Sequence, residues 1–447
     1  MQQRKIPVAS IQTLAHDRAD FDTVWPRLVA LVDEAGRRGA KLIILPEGTV
    51  PGYVLGTQPV SEAQLEHASD ALAGCAQRHG ATIVYGSAKK AGAAILNAAI
   101  VIGPNGREIG YAAKRFLWHF DRLWFAPGAT LEPIDTPVGR LGLLVCADGR
   151  IPSIAATLVE RGAEILVMPT AWVTSGRDPG ALENIQADLM VNVRARENGV
   201  PFAAANKAGV ELASVAYCGK SALVDSSGAF VARAGERGEE ILFAELELGA
   251  PAPRPRSRAP SVAAHALAAP VERARIAFTP VTEPAEFARL SALALQADAA
   301  ATLGAADAAC EPDRDRPIEI AGVRAAAVAW ETLRSPRGLV AARLAGIDLF
   351  VCRALGEAAW HAPFARTRAA ELRAYVVVFD EDAQRAFAVD PDGAIVAGTF
   401  DGYRMAAFTY ERSRAAATLV APATDVLAGL REAEEIRRRT LGNEALV

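Results

Sequence analysis

Short apolar runs alternate with segments of helical periodicity along the first 250 residues. The apolar runs predict strands near residues 5–11, 41–45, 81–88, 95–103, 107–112, 141–145, 164–168, 201–206, 220–225, 229–234 and 240–247. Apolar positions three and four residues apart predict helices over 21–39, 61–79, 152–161 and 180–198. Strands that alternate with helices, together with hairpins, indicate an α/β layered domain with a mixed sheet.

The character of the chain changes near residue 250. The segment from Gly249 to Pro260 is rich in proline and arginine, which is typical of an extended linker. Beyond it, the sequence is patterned again and predicts strands near 323–330, 347–352, 374–380, 385–390 and 394–397, and a helix near 423–440. We therefore expect a first domain over 1–249, a linker over 250–275 and a second domain over 276–447.

The second half repeats parts of the first half. Residues 161–167 resemble 345–351, residues 194–197 resemble 368–371, and residues 224–232 resemble 389–397. The first of these registers, continued without a gap, sets Cys146 against Trp330. We expect a shortened, degenerate second copy of the same layered fold without catalytic activity. The alternative is that alanine-rich α/β segments resemble one another by chance.

Composition narrows the class of protein. The 447 residues are 51% hydrophobic and carry a formal net charge of −4, which gives no reason to expect nucleic acid or an anionic membrane as a partner. Five scattered cysteines argue against a disulfide framework, and no Cys/His spacing resembles a zinc site. The chain begins without the apolar core of a signal peptide, so we expect a cytoplasmic protein without metal or cofactor.

Three polar residues stand beside apolar runs in the first 150 residues. Glu47 and Cys146 each follow a predicted strand, and Lys114 follows a predicted hairpin. A carboxylate, an ammonium and a thiol are the base, the anion stabiliser and the nucleophile of covalent acyl transfer. Burial raises the pKa of a glutamate toward the range useful for a base. Taken singly, the same residues are more often a loop carboxylate, a solvated lysine and an inert core thiol.

The segments that carry these three residues are 45–48, 114–121 and 145–150. Together they resemble the Glu-Lys-Cys signature of the nitrilase, or carbon–nitrogen hydrolase, superfamily. The resemblance extends over about residues 5–250 and includes further segments in the same order: 51–53, 125–128, 162–164, 169–172, 194–198, 206–209 and 219–221. It implies an α-β-β-α sandwich in which Glu47 is the general base, Lys114 stabilises the intermediate and Cys146 is the nucleophile. Many members have a second glutamate seven residues after the lysine, and here Asp121 takes that position. The resemblance implies that Asp121 belongs to the catalytic set and positions the lysine or the substrate; the alternative is a solvated loop aspartate.

The residues after Cys146 are Ala147-Asp148-Gly149-Arg150, closer to the amidase and carbamoylase branches than to true nitrilases. We therefore expect hydrolysis of a small amide or N-carbamoyl compound, with nitrile hydrolysis or a non-catalytic binding role as alternatives. Arg150 is a candidate for binding a substrate carboxylate or for a salt bridge within the fold. The other candidate substrate-binding residues, each equally compatible with the core, are Tyr53, Trp118, His119, Trp172 and Asn206.

Members of the family commonly dimerise through their helical layers. The resemblance therefore implies that residues 276–447 form an intramolecular pseudo-dimer with the first domain, with further homo-oligomerisation left open. The loops expected to shape the pocket, near 48–60, 115–135 and 170–182, contain no sequence motif that identifies the substrate.

Overall fold

The computed structural model describes residues 4–174, 180–249, 270–309 and 316–441. Contacts divide the chain into two compact units, the first over Met1–Pro253, Ala421–Thr424 and Ala433–Asn443, the second over Arg254–Val420, Asp425–Glu432 and Glu444–Val447. Most of the predicted linker, residues 250–269, lies outside the described residues, as does Cys310.

The first unit is built of strands and helices in the predicted order. Its strands are β1 (Arg4–Leu14), β2 (Leu42–Ile44), β3 (Thr82–Ala91), β4 (Ala94–Ile102), β5 (Glu108–Ala113), β6 (Ile134–Thr136), β7 (Gly139–Leu143), β8 (Ile165–Pro169), β9 (Phe202–Ala205), β10 (Lys207–Glu211), β11 (Val215–Cys218), β12 (Ala222–Val224), β13 (Phe230–Arg233) and β14 (Glu240–Leu248). Its helices are α1 (Phe21–Arg37), α2 (Glu62–His79), α3 (Pro152–Glu160) and α4 (Val191–Asn198).

These strands form two mixed sheets. Sheet A has the order β11-β10-β1-β2-β3-β4-β5, with β14 also pairing with β1, and sheet B has the order β13-β12-β9-β8-β7-β6. The buried residues of β1 alternate between two apolar environments: Ala9 and Ile11 pack with α1 and α2, whereas the Ser10 hydroxyl donates to the carbonyl of Ala204 in sheet B at 2.6 Å. Helices α3 and α4 pack on sheet B. The first unit is therefore a mixed α/β structure with two facing sheets.

The predicted helix over 180–198 is wrong in its first half. The chain forms a π-helical turn over Gln186–Met190, and only then the α-helix α4, which ends at Gly199 in a left-handed conformation with φ of 63°. Strands β6, β10 and β11 were not predicted from the sequence. All three are short, and charged or exposed residues interrupt the apolar pattern in β6 and β10.

The second unit contains strands β15 (Arg273–Thr279), β16 (Ala301–Gly304), β17 (Arg316–Ile320), β18 (Val323–Ala329), β19 (Leu349–Ala354), β20 (Tyr375–Asp380), β21 (Arg385–Val389), β22 (Ile395–Gly398) and β23 (Ala406–Glu411). Its helices are α5 (Pro284–Gln296), α6 (Trp330–Arg334), α7 (Pro336–Leu344), α8 (Ala358–Leu372) and α9 (Arg412–Ala416). The chain continues through β24 (Leu419–Ala421), β25 (Thr424–Asp425) and α10 (Val426–Leu441). The strands predicted for this half are confirmed within a few residues.

Two sheets also enclose the core of the second unit. Sheet C has the order β16-β15-β23, and sheet D has the order β17-β18-β19-β20-β21-β22. Sheet D has the same succession of strand senses as sheet B: antiparallel, parallel, parallel, antiparallel, antiparallel.

The pairing registers of sheets B and D also agree. Leu141 pairs with Ile165 in sheet B, and Ala325 pairs with Leu349 in sheet D, which are the residues that the sequence repeat sets against each other. The register of the last strand pair shifts at Val224 in one sheet and at Val389 in the other. Along the described ranges, no helix is both long enough and apolar enough to cross a bilayer.

Candidate active site

Cys146 lies on a sharp turn between β7 and α3. Its backbone is left-handed, with φ of 47°, and its side chain is almost fully buried. The Asp148 carboxylate holds this turn because Oδ2 accepts the backbone N–H of Val145 at 3.0 Å. Oδ1 of the same carboxylate accepts the backbone N–H groups of Arg115 and Phe116 at 2.9 and 2.8 Å. Asp148 thus joins the turn of Cys146 to the segment that follows Lys114.

Glu47 lies just beyond the end of β2, as the sequence predicted, and is fully buried. The loop that carries it packs directly on β3, where a Cβ on Gly86 would lie 2.4 Å from the Cα of Glu47. Oε1 accepts hydrogen bonds from Asn97 Nδ2 and Lys114 Nζ, both at 2.7 Å. Oε2 has no hydrogen-bond partner within the described residues.

The ammonium of Lys114 lies between two carboxylates. It is 2.7 Å from Glu47 Oε1 and 2.6 Å from Asp121 Oδ2, and all three side chains are fully buried. Asp121 is held from two further directions: Oδ2 accepts the N–H of Trp118 at 2.8 Å, and Oδ1 accepts the hydroxyl of Tyr53 at 2.9 Å. The aspartate therefore reaches the lysine despite its short side chain.

Burial and charge shift the pKa values of the site in definite directions. Burial raises the pKa of Glu47, and the nearby ammonium of Lys114 offsets only part of this effect. Burial by itself would lower the pKa of Lys114, but Asp121 and Glu47 outweigh it and hold the pKa well above its usual range. Burial and the charge of Glu47 raise the pKa of the Cys146 thiol. The thiol is consequently protonated before substrate arrives.

This arrangement can transfer a proton between a thiol and a carboxylate. With the lysine charged and both carboxylates ionised, the buried cluster carries one net negative charge, so a thiolate beside it is unfavourable. Glu47 and the thiol of Cys146 each affect the pKa of the other, so Glu47 is the candidate acceptor of the thiol proton.

Of the candidate substrate-binding residues, Tyr53 contacts the buried cluster of Glu47, Lys114 and Asp121. The others lie elsewhere: Arg150 contacts Trp118, Asn206 contacts Trp172, and His119 lies in a turn. The guanidinium of Arg150 lies over the ring of Trp118, with 5.2 Å from Cζ to the ring centroid. Asn206 is buried and uses its amide within the fold, because Oδ1 accepts the N–H of Trp172 at 2.7 Å and Nδ2 donates to the carbonyl of Gly219 at 2.6 Å.

His119 occupies the turn that carries Asp121, with a left-handed φ of 46° and its ring edge-on to Phe120. Within the part of the chain that the structure describes, no cluster of His, Cys, Asp or Glu side chains could hold a metal ion.

Sequence reasoning missed two residues that support the site. Asn97 donates a hydrogen bond to Glu47, and its sequence signal is a single amide in the otherwise apolar strand β4. The sequence identified Asp148 only as one of the residues that follow Cys146, yet its carboxylate accepts three backbone N–H groups from two segments. A buried aspartate two residues after Cys146 carries no distinctive sequence signal of its own.

Comparison with known proteins identifies a family. The family model described as carbon–nitrogen hydrolase matches residues 7–253. The chain is similar to an omega-amidase NIT2 from Bos taurus, with 30% identity over 50% of this chain and 82% of that protein. It is similar to a nitrilase from Pyrococcus abyssi, with 29% identity over 51% of this chain and 84% of that protein.

It is also similar to an N-carbamoylputrescine amidase from Arabidopsis thaliana, with 26% identity over 55% of this chain and 88% of that protein. A crystal structure of an amidase from Nesterenkonia sp. shares 25% identity and a TM-score of 0.49, over 54% of this chain and 90% of the other. The family model extends over more than half of the chain and includes the whole buried cluster. The chain therefore belongs to the carbon–nitrogen hydrolase family.

Proposed function

We propose that this protein hydrolyses the C–N bond of a small amide or N-carbamoyl compound through a thioester on Cys146. The observation that carries the proposal is the buried ammonium of Lys114, held between Glu47 and Asp121 beside the thiol of Cys146. Glu47 acts as general base and acid, Lys114 stabilises the oxyanion, and Asp121 holds Lys114 in place and charged. The fold that accompanies this function is the α-β-β-α sandwich of the nitrilase type.

The first half of the reaction forms the thioester. The sulfur of Cys146 attacks the carbonyl carbon while its proton passes to Glu47, and the carbonyl oxygen becomes an oxyanion beside the ammonium of Lys114. As the intermediate collapses, the C–N bond breaks and Glu47 returns the proton to the leaving nitrogen. Ammonia or an amine departs, and the acyl group remains on sulfur.

The second half hydrolyses the thioester. Glu47 takes a proton from a water molecule, whose oxygen attacks the thioester carbon and again places negative charge beside Lys114. The C–S bond then breaks, the thiol recovers its proton from Glu47, and the acid or carbamic acid leaves. One carboxyl of raised pKa thus serves both halves of the cycle.

An amide or carbamoyl substrate is favoured over a nitrile by the residues that follow Cys146 and by relatives named as amidases. The cysteine is only 6% exposed, which favours a small acyl group. Arg150 beside Trp118 is the proposed site for a substrate carboxylate. Trp118, His119 and Trp172 are proposed walls of the pocket, and Asn206 is proposed to act through Trp172.

The test is release of ammonia from a panel of small amides, N-carbamoyl amino acids and nitriles, together with the intact mass of the protein. We expect turnover and an acyl adduct on the wild type and neither on Cys146→Ala. Cys75→Ala, which removes a buried thiol from α2, is the matched control and should retain both. Turnover that survives Cys146→Ala contradicts the mechanism, and a preference for nitriles contradicts the proposed substrate class.

We also propose that the second unit is a shortened, inactive copy of the first. The common register of sheets B and D supports this proposal, as does Trp330 at the position of the nucleophile, where its ring packs edge-on against His361 with centroids 4.8 Å apart. The intramolecular pseudo-dimer and the domain boundaries stay predictions.

A further inference from the structure

We propose that a short C-terminal turn is part of the active-site support, with Thr424 as a positioning residue for Asp121. This turn, the hairpin tip (Ala421–Thr424), joins β24 to β25 and belongs to the first unit although it lies some 300 residues from the site in sequence. The inference rests on the proposed function, because it acts through the carboxylate that holds Lys114.

The hairpin tip binds the turn that carries Asp121. The buried hydroxyl oxygen of Thr424 accepts the backbone N–H of His119 at 2.7 Å. The carbonyl of Ala423 accepts a hydrogen bond from Nε of Arg122 at 3.2 Å. These two contacts hold the turn on both sides of Asp121.

The contact with His119 is made where the backbone is unfavourable. His119 is left-handed, with φ of 46°, a conformation that a residue with a side chain adopts at a cost. The preceding amide, that of Trp118, binds Asp121 Oδ2, the oxygen that also accepts Lys114 Nζ. The amides of Trp118 and His119 are adjacent in this turn. By binding the amide of His119, Thr424 therefore supports the backbone conformation that directs the Asp121 carboxylate toward Lys114.

The same part of the chain also contacts the helix that follows the nucleophile. The C-terminal half of α10, Ala433–Leu441, belongs to the first unit, and there Arg437 Nε lies 3.2 Å from Glu160 Oε2. The hydroxyl of Ser153, near the start of α3, donates to Glu434. These two C-terminal stretches of the first unit therefore contact both the turn of Asp121 and the helix after Cys146.

The test compares Thr424→Val with Thr424→Ser in the full-length protein. The valine keeps the shape but removes the acceptor for the His119 amide, whereas the serine keeps it. We expect kcat of Thr424→Val to fall about tenfold or more with little change in KM, because the loss acts on the aim of Lys114 rather than on binding. Thr424→Ser should remain close to the wild type.

A pH profile separates positioning from a general structural effect. The charge of Asp121 raises the pKa of Glu47, so a displaced Asp121 should move the acid limb of kcat/KM to lower pH. The matched control is Thr399→Val in the second unit, which removes a buried hydroxyl that accepts the N–H of Ala386 at 2.8 Å. It should leave kcat and the acid limb unchanged.

Two further measurements keep the outcome decisive. If Thr424→Val does not fold, Arg122→Gln serves instead, because it removes the hydrogen bond from Arg122 Nε to the carbonyl of Ala423 at an exposed side chain. It should also move the acid limb of kcat/KM to lower pH, but by a smaller amount. Amide exchange of His119 should speed up in Thr424→Val even without turnover. A folded Thr424→Val with wild-type kcat, acid limb and His119 exchange overturns the inference. A wild type that forms no Cys146 adduct overturns the proposed function instead, and His119 exchange then decides whether the hairpin tip holds the turn.

Discussion

The ammonium of Lys114 is fully buried, so its carboxylate partners decide whether it stays charged. Two carboxylates at 2.6 and 2.7 Å offset the burial of one ammonium and leave one negative charge in excess. Burial, and after it the charge of Glu47, raises the pKa of the Cys146 thiol, and burial together with the charge of Asp121 raises the pKa of Glu47. In the proposed reaction, Glu47 therefore takes up the thiol proton as the sulfur attacks.

Asp121→Asn should change both the rate and its pH dependence. We expect kcat to fall about a hundredfold, because the lysine loses the carboxylate that holds it against the oxyanion. We also expect the acid limb of kcat/KM to move to lower pH, since the charge that raises the pKa of Glu47 is removed. The measurement is kcat/KM between about pH 4 and 9. Asp135→Asn, at an exposed carboxylate, is the control, and an acid limb that moves to higher pH would contradict this account.

His16 should make the folded protein sensitive to acid. Burial lowers its pKa from 6.5 to about 4, with Lys207 acting in the same direction. Nε2 lies 3.2 Å from the carbonyl of Pro51, and Nδ1 has no hydrogen-bond partner among the described residues, so an added proton would be buried there unpaired. The contribution of neutral His16 to the free energy of unfolding is therefore fully present above pH 6.5 and is lost as the pH falls toward 4.

The size of this effect follows from the shift in pKa. Between pH 6.5 and 4, the free energy of unfolding of the wild type should fall by about 3 kcal/mol more than that of His16→Gln. Urea unfolding at a series of pH values measures it. Parallel pH dependences of the two proteins would exclude His16 as the cause.

The residues of the site differ in how far the sequence could reveal them. Glu47 and Cys146 follow apolar strands, and chemistry-bearing residues at strand ends can be read from the pattern. The hydrogen bond from Tyr53 to Asp121 joins residues 68 positions apart, and that between His119 and Thr424 joins residues 305 positions apart. No local pattern encodes such contacts, because they depend on how distant segments pack.

At the scale of elements, strand β10 anchors the loop that follows Glu47. Lys207 Nζ donates to the carbonyl of Gly48 at 3.0 Å, and Glu211 Oε1 accepts the N–H of Val54 at 2.8 Å. The two side chains are buried and lie 3.3 Å apart, and Glu211 also accepts the hydroxyl of Tyr217. One buried ion pair therefore fixes both ends of the loop that carries Tyr53.

Lys207→Met should destabilise the protein by about 3–5 kcal/mol, because it leaves the charge of Glu211 buried without its partner. The double variant Lys207→Met/Glu211→Gln should be more stable than the single variant, since no unpaired charge remains. Chemical unfolding of the two variants and of Glu211→Gln measures the coupling. Strictly additive losses would contradict the role of the ion pair.

The same strand shows why some elements escape prediction. Lys207 and Glu211 place two charges in five residues, which reads as a loop until tertiary contacts bury them. Similarly, the apolar periodicity over 180–198 predicted one helix, whereas a π-helical turn precedes α4. The pattern identifies residues that prefer burial, but hydrogen-bonding between segments decides the local geometry.

At the scale of the whole molecule, the two units share details that a common layout alone does not require. In the first unit, Arg194 pairs with Glu197, and its Nε donates to the carbonyl of Gly149 at 3.0 Å. In the second unit, Arg368 pairs with Glu371, and its Nε donates to the carbonyl of Leu333 at 2.7 Å. Each arginine holds the segment that follows a strand, β7 in the first unit and β18 in the second, and Cys146 lies in the first of these segments.

Replacing each arginine should therefore have equal structural effects and unequal functional effects. Arg194→Met and Arg368→Met should each cost about 3–5 kcal/mol of stability, because each breaks a buried ion pair. Assayed at a temperature where both variants are folded, Arg194→Met should lose about tenfold or more in kcat, since the turn of Cys146 loosens. Arg368→Met should stay within about threefold of the wild type, because the turn it supports carries Trp330. Unfolding curves and kcat at that temperature measure both effects. An Arg368→Met variant that is folded but as inactive as Arg194→Met would mean that the second unit takes part in the chemistry.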